Sequence, residues 1–217
     1  MTRPIELFGD ADSGNCVKVL LGAVRANVPF RWRAVNTAYG QPRDPEVERL
    51  NAAGQVPIML LPDGRVLAQS GAILLFLLRD TPLVPTDTFE HAKMLEWMFW
   101  EQYSHEPYIA VCRSEMRYTG KGKDEREPWR VERGERALDM MDGHLAARDW
   151  FVGDAPSVAE IALFAYTRWA EDGGFDLAAR PTVKAWIARC EDHFAEELAV
   201  LEWVSAGGTD SAAAPRP

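Results

Sequence analysis

Nowhere do the 217 residues contain an apolar run of about 18, the minimum for a membrane-spanning helix, so no membrane partner is expected. The first strand-like residues follow Met1 closely, which leaves no place for a secretory leader. Cysteine is scarce: Cys16, Cys112 and Cys190 are far apart and odd in number. That argues against a disulfide framework and fits a reducing cytoplasm. No metal-ligand spacing links them to His91, His105, His144 or His193, so no metal site is expected. Basic residues are outnumbered, 24 against 33 acidic, for a net charge of −9. Nucleic acid is a poor partner for that balance, because phosphate binding wants the opposite sign. Internal repeats are absent as well. What is present is apolar content of 47%, enough for a globular chain of one large domain or two small ones.

The first eighty residues alternate in type. Residues 5–8 form a short apolar strand. Residues 16–26 carry helical spacing, with Val17, Leu20, Leu21 and Val24 on one face. Residues 30–35 alternate apolar and basic as a strand, 44–50 read as a short helix, and 56–61 as an apolar strand. Asp63-Gly64 is a hairpin turn into 65–68, and Ser70 opens a helix to Leu78. The order βαβαββα predicts a thioredoxin-like α+β domain over 1–80. Prolines in 81–87 mark a linker, and 88–204 reads as all helical. A long helix over 89–118 contains Pro107, which predicts a kink. Further helices are expected over 124–147, from the capping box Ser157-Val158-Ala159-Glu160 into 161–170, and from Pro181. The tail, 205–217, is Ala, Gly, Ser and Pro, and its composition predicts disorder.

Ser13-Gly14-Asn15-Cys16 stands where a thioredoxin-like fold carries a Cys-x-x-Cys redox pair. The first position, which tops the helix and meets substrate, is serine; the fourth, which points inward, keeps its thiol. Serine cannot run disulfide exchange. It can cap the helix, the commonest role for such a residue, or donate a hydrogen bond to another molecule's thiolate.

Two more motifs fall at element boundaries: Gly54-Gln55-Val56-Pro57 before the third strand, and Gln69-Ser70 before the third helix. Together the three motifs, over about residues 4–200, resemble the glutathione transferase superfamily, and most closely its soluble bacterial members and serine-type zeta and theta classes. Ser157 to Glu160 is similar to that family's helical folding motif, with Glu where Asp is usual. The resemblance implies the glutathione transferase fold and glutathione as co-substrate, with no metal. It also implies a cytoplasmic detoxifying enzyme and a homodimer.

Residue roles follow from the same resemblance. Pro57 would be cis, presenting the Val56 backbone to the cysteinyl part of glutathione like an added strand. Gln69 and Ser70, with the N–H groups at the start of their helix, would hold the γ-glutamyl end. Gln55 would reach the glycyl carboxylate. Ser13 would stabilise the glutathione thiolate, with Asn15 in support. Lowering a thiol pKa by two units takes about 2.7 kcal/mol. One hydrogen bond to a charged group gives about 1.5–3 kcal/mol and a helix N-terminus about 0.3–1, so no general base is needed.

The second substrate is expected at the middle of the long helix, with Tyr103, Glu106, Tyr108 and Arg113 as the pocket candidates and 101, 104/105, 108 and 112 on one face. Met94, Trp97 and Met98 are more apolar surface than one helix face needs, which fits dimer contacts. The resemblance implies conjugation of glutathione to an electrophile. Two alternatives stand beside it. A zeta-class isomerase is one, although Gly14 and Asn15 depart from that class's Ser-Ser-Cys motif. The other is a non-catalytic binding module on the same fold.

Overall fold

The computed structural model describes residues 3–37 and 44–215. It divides into two compact units: 3–81 together with 194–215, and 82–193.

The first unit is built on a four-stranded sheet of order β2-β1-β3-β4. Its strands are β1 (Ile5–Gly9), β2 (Phe30–Ala34), β3 (Ile58–Leu60) and β4 (Val66–Ala68). β1 runs parallel to β2, whereas β1–β3 and β3–β4 are antiparallel. Side chains alternate across the sheet. Phe8 and its cross-strand neighbour Ile58 face one side and pack with Val47 of α2 (Pro45–Leu50). Leu7 and Met59 point to the other side. Asp44 starts α2, its Oδ1 accepting from the Glu46 N–H at 2.8 Å.

Helix α1 (Gly14–Arg25) packs against α3 (Ser70–Leu78). Gly9 makes the close approach of α1 to the sheet possible: a Cβ there would come 2.6 Å from the Trp32 ring and 3.0 Å from Cys16 Cβ. With no Cβ, the chain turns into α1 directly at the end of β1.

The second unit is helical. Its longest stretch runs through α4 (Thr88–Trp100), a π turn (Glu101–His105) and α5 (Glu106–Thr119). The expected disturbance at Pro107 takes this form. A proline cannot donate backward and crowds the preceding turn. One wide turn absorbs that conflict, and the Glu106 N–H reaches back five residues to the Glu101 carbonyl. Then follow α6 (Pro128–Leu145), α7 (Val158–Thr167) and α8 (Pro181–His193). Pro128 sets the start of α6, later than the periodicity suggested; residues 123–125 form a separate 3₁₀ turn. Helix α7 begins directly after its cap Ser157, at Val158, three residues before 161. Trp97, Phe151, Phe164 and Trp186 meet edge to face in the core of this unit.

Three expectations need correction. Met94, Trp97 and Met98 are buried in the helical unit's own core; the exposed large side chains of α4 are Phe89 and Phe99. The helical run after Pro181 breaks at Phe194, and the further helix α9 (Ala195–Ser205) belongs to the first unit. There it packs against α1, with Arg25 Nε 2.6 Å from the buried Glu197 carboxylate.

The tail is also ordered as far as it is described; residues 216–217 lie outside the described residues. The Trp32 N–H donates to the Thr209 carbonyl at 2.7 Å, and the Phe30 N–H to Ser211 Oγ at 2.8 Å. Arg31 and Asp210 form an antiparallel bridge. Composition reports only how little apolar surface the tail can bury by itself. It does not report that β2 is an edge strand whose backbone donors need partners. Gly208 lets the tail turn tightly over Trp203, where a Cβ would come within 2.2 Å of the indole.

Candidate functional site

Strand directions bring the three motifs to one end of the sheet. Phe8 pairs with Ile58, so β1 ends where β3 begins. Ile58 pairs with Ala68, so β4 ends there too. The loop before α1, the segment entering β3 and the start of α3 therefore share one edge of the first unit.

The turn before α1 is held by Asp10. Its carbonyl accepts from the Ser13 N–H at 3.0 Å, and its carboxylate takes the Asp12 N–H and the Thr37 N–H and hydroxyl. Ser13 is the N-cap in extended conformation, yet its side chain makes no capping bond. The hydroxyl is half-buried beside Cys16, the thiol of which is fully buried. Burial pushes the Cys16 thiol up to about 11, against hydrogen bonds from the Asp10 backbone and Ser13 that work to lower it. Near neutral pH Cys16 is therefore a thiol.

Asn15 Oδ1 accepts from Ser70 Oγ at 3.2 Å and from Lys18 Nζ at 2.9 Å. Ser70 is buried, and its hydroxyl donates across this bridge between helix starts, with no capping bond made to α3. Gln69 precedes it at φ +73°, a left-handed conformation rare outside glycine, with no capping bond from its side chain. Helix α3 therefore starts without a cap from the Gln69 side chain. The ammonium of Lys18, wholly buried, is a feature the sequence reading missed. Its signal was spacing: a lysine three residues after Asn15, inside an otherwise apolar face.

The Val56–Pro57 bond is cis. Val56 packs its side chain beside Ile58 and Val47, and its N–H and C=O have no partner among the described residues. Asn51, also unremarked in the sequence, fixes this loop: its side-chain amide donates to the Gln55 carbonyl at 2.8 Å, and its backbone carbonyl takes the Gly54 N–H. The Gln55 side chain is exposed.

In the helical unit the pocket candidates separate. Of the positions expected to share one helix face, 101, 105, 108 and 112 are buried and 104 is half-buried. Tyr103 and Tyr108 come together, lining a groove of about 340 Å³ with residues of α6. Glu106 is half-buried in the first turn of α5 and does not line that groove. Arg113 departs furthest from expectation. Only 4% exposed, it lies over the Trp169 ring at 4.1 Å and contacts Asp172 at 3.4 Å, inside the packing of α5 against the 170–173 turn. The cation beside Tyr108 is instead Arg133, whose Nη1 donates to the tyrosine oxygen at 2.9 Å.

A thioredoxin-like unit with these motifs at one sheet edge, joined in one chain to an all-helical unit, defines the glutathione transferase fold. Family comparison agrees. Residues 12–80 match the N-terminal domain of glutathione S-transferases, and 94–193 match the C-terminal domain. A solved glutathione S-transferase from Xanthobacter autotrophicus Py2 is 39% identical with a TM-score of 0.81, over 86% of this chain and 92% of that one. Another from Pseudomonas fluorescens is 38% identical at 0.82, over 87% and 95%. The Escherichia coli disulfide-bond oxidoreductase YfcG is 26% identical over 203 residues, 88% of this chain and 93% of its own length. The chain belongs to the glutathione S-transferase family. No helix among the described residues is long and apolar enough to cross a membrane.

Proposed function

We propose that the protein is a cytoplasmic glutathione transferase that holds glutathione as a thiolate and joins its sulfur to an electrophilic carbon. The observation that carries this reading is the Ser70–Asn15 bridge at the edge that also bears the cis Val56–Pro57 bond. It ties a hydroxyl uncommitted to capping, an open backbone pair and an uncapped helix start to one end of the sheet. A non-catalytic module has no use for all three.

The roles are these. The Val56 N–H and C=O pair with the cysteinyl backbone of glutathione. The N–H groups at the start of α3, with Ser70 and Gln69, take the γ-glutamyl carboxylate and amine, and Gln55 faces the glycyl end. The Ser13 hydroxyl donates to the sulfur, Asn15 orients the loop, and Cys16 remains a packing residue. Substitution with loss of halide, or addition at carbon, completes the reaction: a C–S bond forms, and the displaced electron pair leaves with the halide or is protonated. Tyr103 and Tyr108 serve the electrophile.

Calorimetric titration with glutathione tests the first half. Micromolar to low millimolar binding that weakens in Ser70→Ala is the expected result; no binding would favour a glutathione-independent module. A panel of aryl halides, epoxides, enones and peroxides tests the second half. Low-molecular-weight disulfides join the panel because of the likeness to YfcG, and maleylacetoacetate tests the isomerase alternative.

A further inference from the structure

We infer that the groove between the π turn and α6 is a binding site for aromatic carboxylates, with Arg133 as the anion-reading residue. The proposal rests on the transferase reading only in making that ligand the second substrate.

Trp129, Arg133, Arg136 and Met140 recur at steps of four, three and four residues, and so lie along one face of α6. Across the groove stand Tyr103 and Tyr108. Tyr103 is 81% exposed, and Trp129 and Met140 are each about half exposed, so apolar and aromatic surface is open to a ligand. The Arg133 guanidinium lies 5.6 Å from the ring centres of both Tyr108 and Trp129. Its bond to the Tyr108 oxygen fixes the plane of the fork.

Charge separates this arginine from its neighbours. Arg113, Arg130, Arg180 and Arg189 each have a carboxylate within 4 Å. Arg133 has none among the described residues. Arg136 touches Glu132 at 3.5 Å, but both side chains are open to solvent, so the contact neutralises little. In a chain of net charge −9, Arg133 over two aromatic rings, with Arg136 also lining the groove, gathers positive charge beside aromatic surface. A cavity of about 340 Å³ suits one substituted ring. A carboxylate takes the guanidinium fork in a charge-assisted pair while its ring lies against Tyr103 and Trp100, both of which line the groove.

The probe is 4-chloro-3-nitrobenzoate, compared with its uncharged carboxamide. Binding is measured without glutathione by saturation-transfer NMR titration of the intact protein. With glutathione added, sulfur attacks the ring carbon bearing chlorine and chloride leaves with the bonding pair, which gives kcat/KM for both probes. The benzoate is expected to bind more tightly than the amide. Arg133→Ala should weaken the benzoate about tenfold and the amide hardly at all, the scale of one hydrogen bond to a charged group at an open site. Arg133→Lys should keep part of the effect, because charge is retained and the fork lost. Tyr108→Phe, which frees the fork of its tether, should blunt the preference for the anion while sparing the amide.

Equal binding of the two probes, or benzoate affinity within twofold of wild type in Arg133→Ala, overturns the proposal. So does a variant that changes the light-scattering mass and leaves probe affinity alone, since the groove would then be a contact between copies. Loss of glutathione binding in calorimetry, with the anion preference intact, would count against the transferase reading and not against this site.

Discussion

At the scale of single residues, the decisive contrast is between Ser13 and Cys16, three positions apart. The thiol is buried and raised to about 11; the hydroxyl is half-buried, beside that thiol, and makes no capping bond to its helix. Ser13→Ala should therefore cut conjugation about 10–100-fold while glutathione affinity changes little, because the bond is made chiefly to the thiolate. The thiolate absorbance of the bound complex should titrate at higher pH in that variant. Cys16→Ala should keep most of the rate; the opposite pattern would move the chemistry to cysteine. Ser70→Ala is expected to lower glutathione affinity about 10–150-fold, since it removes both a ligand contact and the bridge to Asn15. Gln69→Ala should cost less, as its side chain is uncharged. Titration calorimetry compares the two. Ser13, Gln69 and Ser70 were legible in the sequence because each falls at a strand-to-helix boundary. Lys18, Asn51 and Arg133 were not, because their roles depend on partners brought up by folding, and Arg113 misled because nearness in sequence to Pro107 says nothing of the Asp172 and Trp169 that claim it.

At the scale of elements, the start of α7 carries the sharpest energetic prediction. Glu160, fully buried, accepts from the Phe151 N–H at 2.6 Å and from the Ser157 N–H and hydroxyl at 2.6 and 2.8 Å. Burial raises its carboxyl from 4.5 to about 6, despite those bonds. A pKa higher in the folded than in the unfolded chain means that ionising Glu160 costs stability. The contribution is fully present below pH ~4.5 and lost as pH rises through ~6, about 2 kcal/mol in all. Denaturant unfolding of wild type and Glu160→Gln should diverge by that amount across the window; a constant difference would mean the group titrates alike in both states. The capping box was visible as Ser157 and Glu160 at the required spacing. The short elements of the first unit were visible too, because alternation and turn residues are local signals. The π turn was not: the sequence announces a conflict at Pro107, but how neighbouring turns absorb it is a matter of packing.

At the scale of the whole molecule, a twofold homodimer is predicted from family membership, with the exposed Phe89 and Phe99 as contacts in place of the buried Met94, Trp97 and Met98. Light scattering at micromolar concentration should give twice the 24.3 kDa chain mass; a single-chain mass would defeat it. Removal of residues 206–217 should leave the helical unit intact, uncover the edge of β2 and increase self-association, seen as a concentration-dependent mass. Domain order along the chain was largely legible, since the periodicity changes from mixed to helical near the prolines of 81–87. The return of the last helix to the first unit was not, because a helix's sequence does not say which surface it will cover. That return bears on how the protein is made. The sheet is synthesised first, but α9, the ion pair from Arg25 to Glu197 and the cover on β2 arrive last. A nascent chain released from the ribosome only through residue 193 holds a complete helical unit and an unfinished first one. The first unit, begun first in synthesis, therefore completes its packing only after residues 194–215 have been made.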